Sequence, residues 1–256
     1  MHHWHRQGTT AEIPPKPATS QGEAVNDRNY SFGRDSAVSA LTAGKRVLRN
    51  TYWLLALSMI PTVLGAWVGL ATGFSLFAAT SPAMSMLAFF AIAFGFMFAI
   101  QRTKDSAVGV FVLLGFTFFM GLMLSRILAF VLGFSNGPSL IMLAFGGTGV
   151  IFAAMATIAT VSKRDFSGLG KWLFMGVIVI LLASVANVFL QLPALMLTVS
   201  VMAIVIFSAY IMFDVQRVVN GGETNYITAT LAIYLDLYNV FVNLLALLGI
   251  FGGNRN

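Results

Sequence analysis

Two carboxylates, Asp214 in YIMFDVQR and Asp236 in IYLDLYN, fall inside or at the edge of apolar stretches long enough to cross a bilayer. An ionisable residue at the centre of a membrane helix costs roughly 2.5–3.5 kcal/mol on insertion scales, so each is a functional candidate by default. Asn239 and Asn243 follow Asp236 at i+3 and i+7. On a helix all three share one face, which must point into a bundle or a wet cavity rather than at lipid. Asp214 shares a face with Tyr210 at i−4 and with Arg217 at i+3. Ser184, Asn187 and Gln191 form a third polar strip. Tyr210, Asn187, Asn239 and Asn243 are candidates for a polar or pore lining.

If the two carboxyls approach each other they titrate as a unit. One shared proton would hold their helices together, and its loss would drive them apart or attract a cation. Calcium takes about six to eight oxygen ligands. Asp214 and Asp236 alone therefore suggest transient passage of Ca²⁺, with no resident cofactor. Plainer roles stay open. Asp214 pairs with Arg217 at the interface, worth about 0–1 kcal/mol, or Asp236 is a protonated packing residue and the asparagines join helices. Catalysis finds little support: no histidine lies in an apolar segment, and HExxH is absent. The expectation is a non-enzyme.

The elements that must position these residues follow from composition. Of 256 residues, 58% are hydrophobic and 9% charged, with mean hydropathy +0.84. A soluble domain carries about 25% charged residues. The apolar residues come in blocks of the length that about 30 Å of hydrocarbon requires. These features indicate a polytopic membrane protein whose main partner is lipid. The absence of cysteine excludes disulfides and thiolate chemistry. The net charge of +6 does not indicate nucleic acid, because seven of the fifteen Lys and Arg precede residue 53 and most others sit at the ends of apolar blocks.

Residues 1–35 read as a disordered cytoplasmic tail, polar and containing Pro, Ser and Gly. Its His2, His3 and His5 lack a partner carboxylate for a metal site. Residues 36–52 mix Val38, Leu41, Val47 and Leu48 with Lys45, Arg46 and Arg49 and read as an interfacial helix. A transmembrane domain over 53–251 then holds seven apolar segments near 53–76, 83–101, 107–126, 139–161, 172–191, 194–216 and 227–251, before a short outer tail, 252–256. The fold class is an all-α membrane protein, a seven-helix bundle. With the N-terminus inside, nine basic residues near the membrane ends face the cytoplasm and two, Arg126 and Arg255, face out, which favours N-in/C-out. Gly65, Gly69 and Gly73 read as a packing ridge. AFGGTG at 144–149 reads as close helix packing rather than a phosphate loop.

The run FDVQRVVNGGETNYITATLAIYLDLYNVFVNLLALLGI, with RTKDSAVGVFVLLGF and GGTGVIFAAMATIA–SKRDFSGLG, resembles the transmembrane Bax-inhibitor-motif family over residues 45–251. The loop GGETNYI and the preceding ANVFLQLPAL look most like its bacterial branch, which is associated with the membrane-anchored AAA protease of the inner membrane. The resemblance implies a central C-terminal helix and a bacterial inner-membrane location. For some members it also implies a pH-sensitive calcium leak. Asp214 and Asp236 match that family's aspartate pair, the pH sensor and gate, and Arg102 is the nearest match to the basic latch on the second helix, with Arg217 a second candidate. Two functions follow: a pH-gated Ca²⁺ leak, or a regulator that engages the AAA protease through the N-terminal tail.

Overall fold

The computed structural model describes residues 21–74, 81–162 and 164–253, with side chains from residue 44 onward except at position 82. All regular structure among them is helical: α1 (Gln21–Thr72), α2 (Pro82–Thr103), α3 (Ala107–Leu132), α4 (Gly137–Val161), α5 (Leu169–Leu190), α6 (Pro193–Val219) and α7 (Tyr226–Gly252). Seven stretches, the first being Gly44–Thr72, are long and apolar enough to span a membrane. Helices are the natural outcome, because hydrocarbon offers no partner to a backbone N–H or C=O and a helix satisfies both internally.

The helix ends carry local signals. Pro193 starts α6, where its missing N–H costs nothing. Asn225 caps α7 by accepting from the N–H groups of Ile227 at 2.9 Å and Thr228 at 3.3 Å. Gly73 follows α1 with φ +62°, a left-handed conformation that favours glycine. The expected interfacial helix 36–52 is continuous with the first membrane segment in α1, and two further boundaries depart from the sequence reading by more than a turn. α3 continues six residues past the expected 126, to Leu132, so Arg126 lies within the helix. Of the expected tail 1–35, residues 1–20 lie outside the described residues, but 21–35 are helical and belong to α1. Pro17 is the last proline before Pro61, so nothing in the backbone chemistry stops a helix there.

The chain forms two compact units, Met1–Ala40 and Leu41–Asn256. Of the first, residues 21–40 are helical. In the second, α7 packs against α2, α3, α4 and α6 and is hydrogen-bonded to α1. Its Ile233, Val240 and Leu245 are fully buried. One core cluster gathers Leu54, Ile100, Leu113, Phe116, Ile211, Val215 and Tyr234. A second joins Ala66, Leu124, Leu128, Val131, Ala144 and Leu245. Large apolar side chains such as Phe111, Phe145, Trp172 and Phe189 are exposed, as expected where lipid is the solvent.

α1 meets α3 closely. A Cβ on Gly65 would collide with the Phe118 carbonyl oxygen, and one on Gly121 with that of Thr62. A Cβ on Gly69 would likewise run into Ser125, so two of the three ridge glycines pack, whereas Gly73 ends the helix and has open space around it. The AFGGTG stretch lies within α4, but Gly146 and Gly149 face open space and Gly147 makes only ordinary contact with Leu244. Close packing at those glycines is not what the structure shows.

Candidate functional site

α6 and α7 form an antiparallel hairpin closed by a tight turn. The Arg217 carbonyl accepts the N–H groups of Gly222 at 2.8 Å and Glu223 at 3.1 Å, and Gly221 supplies φ +76°. This turn places Asp214, five residues before the end of α6, beside Asp236, ten residues into α7. The two carboxyl groups lie close enough to share a hydrogen bond. Asp236 is buried, at 5% exposure, and no N–H or hydroxyl donor reaches its Oδ2. A buried carboxyl oxygen without such a donor is costly, and a proton or a passing cation would relieve it.

Tyr210 sits near both carboxyls, its ring packed against Phe207 and Phe213. Arg217 pairs with Glu223 at 3.8 Å. Both charges lie near Asp214, but the carboxyl that Asp214 meets directly is that of Asp236. The Arg102 guanidinium is exposed and lies 5.1 Å over the Phe98 ring, so it does not latch the pair in this conformation. Among the described residues no group of three His, Asp or Glu side chains could hold a metal ion. Two carboxylates alone fall well short of a resident calcium shell of about six to eight oxygens. His2, His3 and His5 lie outside the described residues.

The other expected polar residues do not join the pair. Asn239 and Asn243 are half-buried and donate to their own helix, to the Leu235 and Asn239 carbonyls at 2.8 Å. Ser184 likewise donates to the Ile180 carbonyl. Asn187 accepts the Leu192 N–H at 2.9 Å and closes the α5–α6 turn, where Gln191 is left-handed at φ 52°. That turn and Asp214 are separated by about 30 Å of α6, at roughly 1.5 Å per residue. Asn187 therefore closes the turn at the opposite end of α6 from Asp214.

Two amides outside the sequence-derived candidates, Gln216 and Asn225, organise the loops at the same end as the aspartates. Gln216 Nε2 donates to the Arg164 carbonyl and its Oε1 accepts the Phe166 N–H, both at 2.7 Å. This fastens the α4–α5 loop to α6, two residues from Asp214. In that loop Asp165 accepts from the Ser167 N–H and hydroxyl, both at 2.9 Å, and these bonds hold its carboxyl below the usual range. Asn225 Nδ2 donates to the Lys104 carbonyl at 2.9 Å and to Asp105 at 3.0 Å, fastening the α2–α3 loop to α7. A polar side chain at the buried end of a hairpin was the available signal, but only the fold supplies its partners. A further set of hydroxyls holds the centre: Thr62 and Tyr234 are hydrogen-bonded at 2.8 Å, and Tyr238 donates to the Met120 carbonyl at 3.2 Å.

Comparison with known proteins adds to this geometry. The profile of the family described as inhibitor of apoptosis-promoting Bax1 matches residues 44–253. The chain is 37% identical to the "Modulator of FtsH protease YccA" of Escherichia coli K12, over 87% of this chain and 97% of that protein. The same identity and coverage hold for the "Inner membrane protein YccA" of Escherichia coli O6:H1. An uncharacterized membrane protein of Vibrio cholerae is 34% identical over the same shares.

Proposed function

We propose that this chain, which belongs to the family of inhibitors of apoptosis-promoting Bax1, is a non-enzymatic regulator of a membrane-anchored AAA protease. It is a multi-pass protein of the inner membrane. The observation that carries the reading is the match to a named modulator of FtsH protease across 97% of that protein's length. The placement of nine basic residues against two favours an N-in/C-out topology. The N-terminal segment and the α2–α3 and α4–α5 loops then face the side on which an AAA protease works. The chain engages the protease through residues 1–52 and slows proteolysis. The test is co-reconstitution with an FtsH-type protease and a membrane substrate. Substrate half-life lengthens with the full chain and returns to the protease-alone value when residues 1–35 are removed. Unchanged turnover with the folded full chain overturns the reading, and full inhibition after truncation overturns the role of the tail.

A second reading, a proton-gated cation leak, is favoured by the closeness of Asp214 and Asp236 and by the lack of an N–H or hydroxyl donor at Oδ2 of Asp236. The pair holds α6 against α7 when it shares a proton and parts when that proton leaves, with Ca²⁺ as transient cargo. Ca²⁺ flux into proteoliposomes from mildly acidic to alkaline pH tests it. Flux varies with pH in the unaltered chain and becomes flat in Asp214→Asn and Asp236→Asn. Absence of flux at every pH removes this reading and leaves the regulator.

A further inference from the structure

We propose that the groove between α1 and α4 is a binding site for one anionic phospholipid. An acyl chain lies in the groove and the phosphate headgroup rests on Lys45 and Arg49. The groove has a volume of about 710 Å³, within the range of sites that bury a small ligand, roughly 300–1,000 Å³. Its α1 wall runs from Tyr52 to Leu70 and its α4 wall from Ile141 to Phe152, with α3 and α7 behind. At about 1.5 Å per residue the α1 wall is roughly 27 Å long. A single leaflet's share of hydrocarbon is about 15 Å, half of the ~30 Å core, so a whole chain fits.

The lining decides what kind of ligand fits. Its hydroxyls are mostly engaged by protein: Thr62 with Ser58 and Tyr234, Thr148 with the Ala144 carbonyl, Tyr238 with the Met120 carbonyl. The surface left facing the groove is therefore hydrocarbon and does not suit a polar solute or a file of water. A transmembrane helix is too thick. At about 10–12 Å across and 27 Å long it displaces roughly 2,000 Å³ or more, several times the cavity. An acyl chain has the right section and already surrounds the protein.

The basic end of the groove supplies the charge. Lys45 and Arg49 precede Tyr52 by seven and three residues, which continues the groove-facing stripe of α1 towards its N-terminal end. Both are exposed, and neither makes an ion pair with a described residue. Tyr52 packs edge-on against Phe152 at 5.8 Å between ring centres. This contact joins the α1 and α4 walls at the basic end of the groove. Basic pockets between membrane helices recognise anionic headgroups in this way.

Native mass spectrometry of the full chain tests the proposal, with equal amounts of phosphatidylglycerol and phosphatidylcholine carrying the same acyl chains. One phosphatidylglycerol is retained in preference. Replacing both charges, Lys45→Gln with Arg49→Gln, weakens it by about 30-fold, which corresponds to roughly 1 kcal/mol per basic side chain. Gly149→Leu fills the groove from its α4 wall, where an added Cβ meets nothing within 4 Å, and abolishes retention. Equal retention of the two lipids overturns the headgroup site, and the charge variant checks this even if Gly149→Leu does not fold. Lipid that persists in folded Gly149→Leu overturns the acyl site. A lipid-free dimer that this substitution dissociates assigns the groove to a second copy instead.

Discussion

Replacing Gly121 by Ala adds one methyl group where α3 crosses α1, and the structure shows what it would meet. The new Cβ falls on the carbonyl oxygen of Thr62, with the Thr62 carbonyl carbon at 2.9 Å and the Ala66 nitrogen at 3.0 Å. All three are backbone atoms, so no side chain can turn away and the helices must separate. Helix propensity alone would favour Ala over Gly by up to about 1 kcal/mol. Overpacking costs about 1–3 kcal/mol. Separation also strains the bond from Thr62 to Tyr234, and such interhelical bonds average about 0.6 kcal/mol in membranes. Gly95→Ala is the control, because an added Cβ there meets nothing within 4 Å and only the propensity gain remains. The two variants should differ by about 2–4 kcal/mol, a factor of roughly 30 to 1,000 in the folding equilibrium. Unfolding by increasing dodecyl sulfate in mixed micelles, followed by circular dichroism, measures that gap. If Gly121→Ala unfolds at the same or a higher detergent fraction than Gly95→Ala, the α1–α3 contact does not hold the bundle as argued.

Tyr234→Phe removes one buried hydroxyl, yet Thr62 keeps its bond to the Ser58 carbonyl, so the same unfolding assay should show a loss near 0.6 kcal/mol and not above about 2. Gln216→Ala leaves the Phe166 N–H and the Arg164 carbonyl without their partner. Hydrogen exchange at the Phe166 amide should then accelerate at least about tenfold, equivalent to roughly 1.4 kcal/mol, with α6 unaffected. Asp165 is held below its ordinary carboxyl range by Ser167. Its contribution is therefore present above the unfolded value and is lost as pH falls through the folded one. Protection of the Ser167 amide should disappear on acidification and persist unchanged at neutral and higher pH.

The number and order of the membrane helices were legible in the sequence, because hydrocarbon leaves an apolar block of about twenty residues one economical backbone conformation. The boundaries that were misplaced have separate causes. Arg126 ended the third segment on paper, yet it lies inside α3, since a long cationic side chain can reach polar surroundings from within a helix. Residues 21–35 show no apolar periodicity, so their helix gave no burial signal to detect. AFGGTG looked like a packing motif because glycine permits close approach. Whether a neighbour accepts it depends on where α4 sits, and Gly149 instead lines a groove.

At the site, residue types and spacing alone singled out Asp214 and Asp236, since an acid in an apolar block is rare and expensive. Arg217 shared a face with Asp214 as well, and spacing along one helix could not choose between partners. The fold chose: the turn at Gly221 swings Glu223 back onto Arg217, while the rotation of α6 against α7 brings the two carboxyls together. The same fold turned Asn239, Asn243 and Asn187 to backbone partners and gave Gln216 and Asn225 their loops. The sequence by itself determined that this is a membrane bundle carrying two costly acids, because the transfer of apolar and charged groups into hydrocarbon depends on local composition. Only the tertiary structure decided which groups face one another, because rotation and separation of packed helices are set by contacts between residues far apart in the chain.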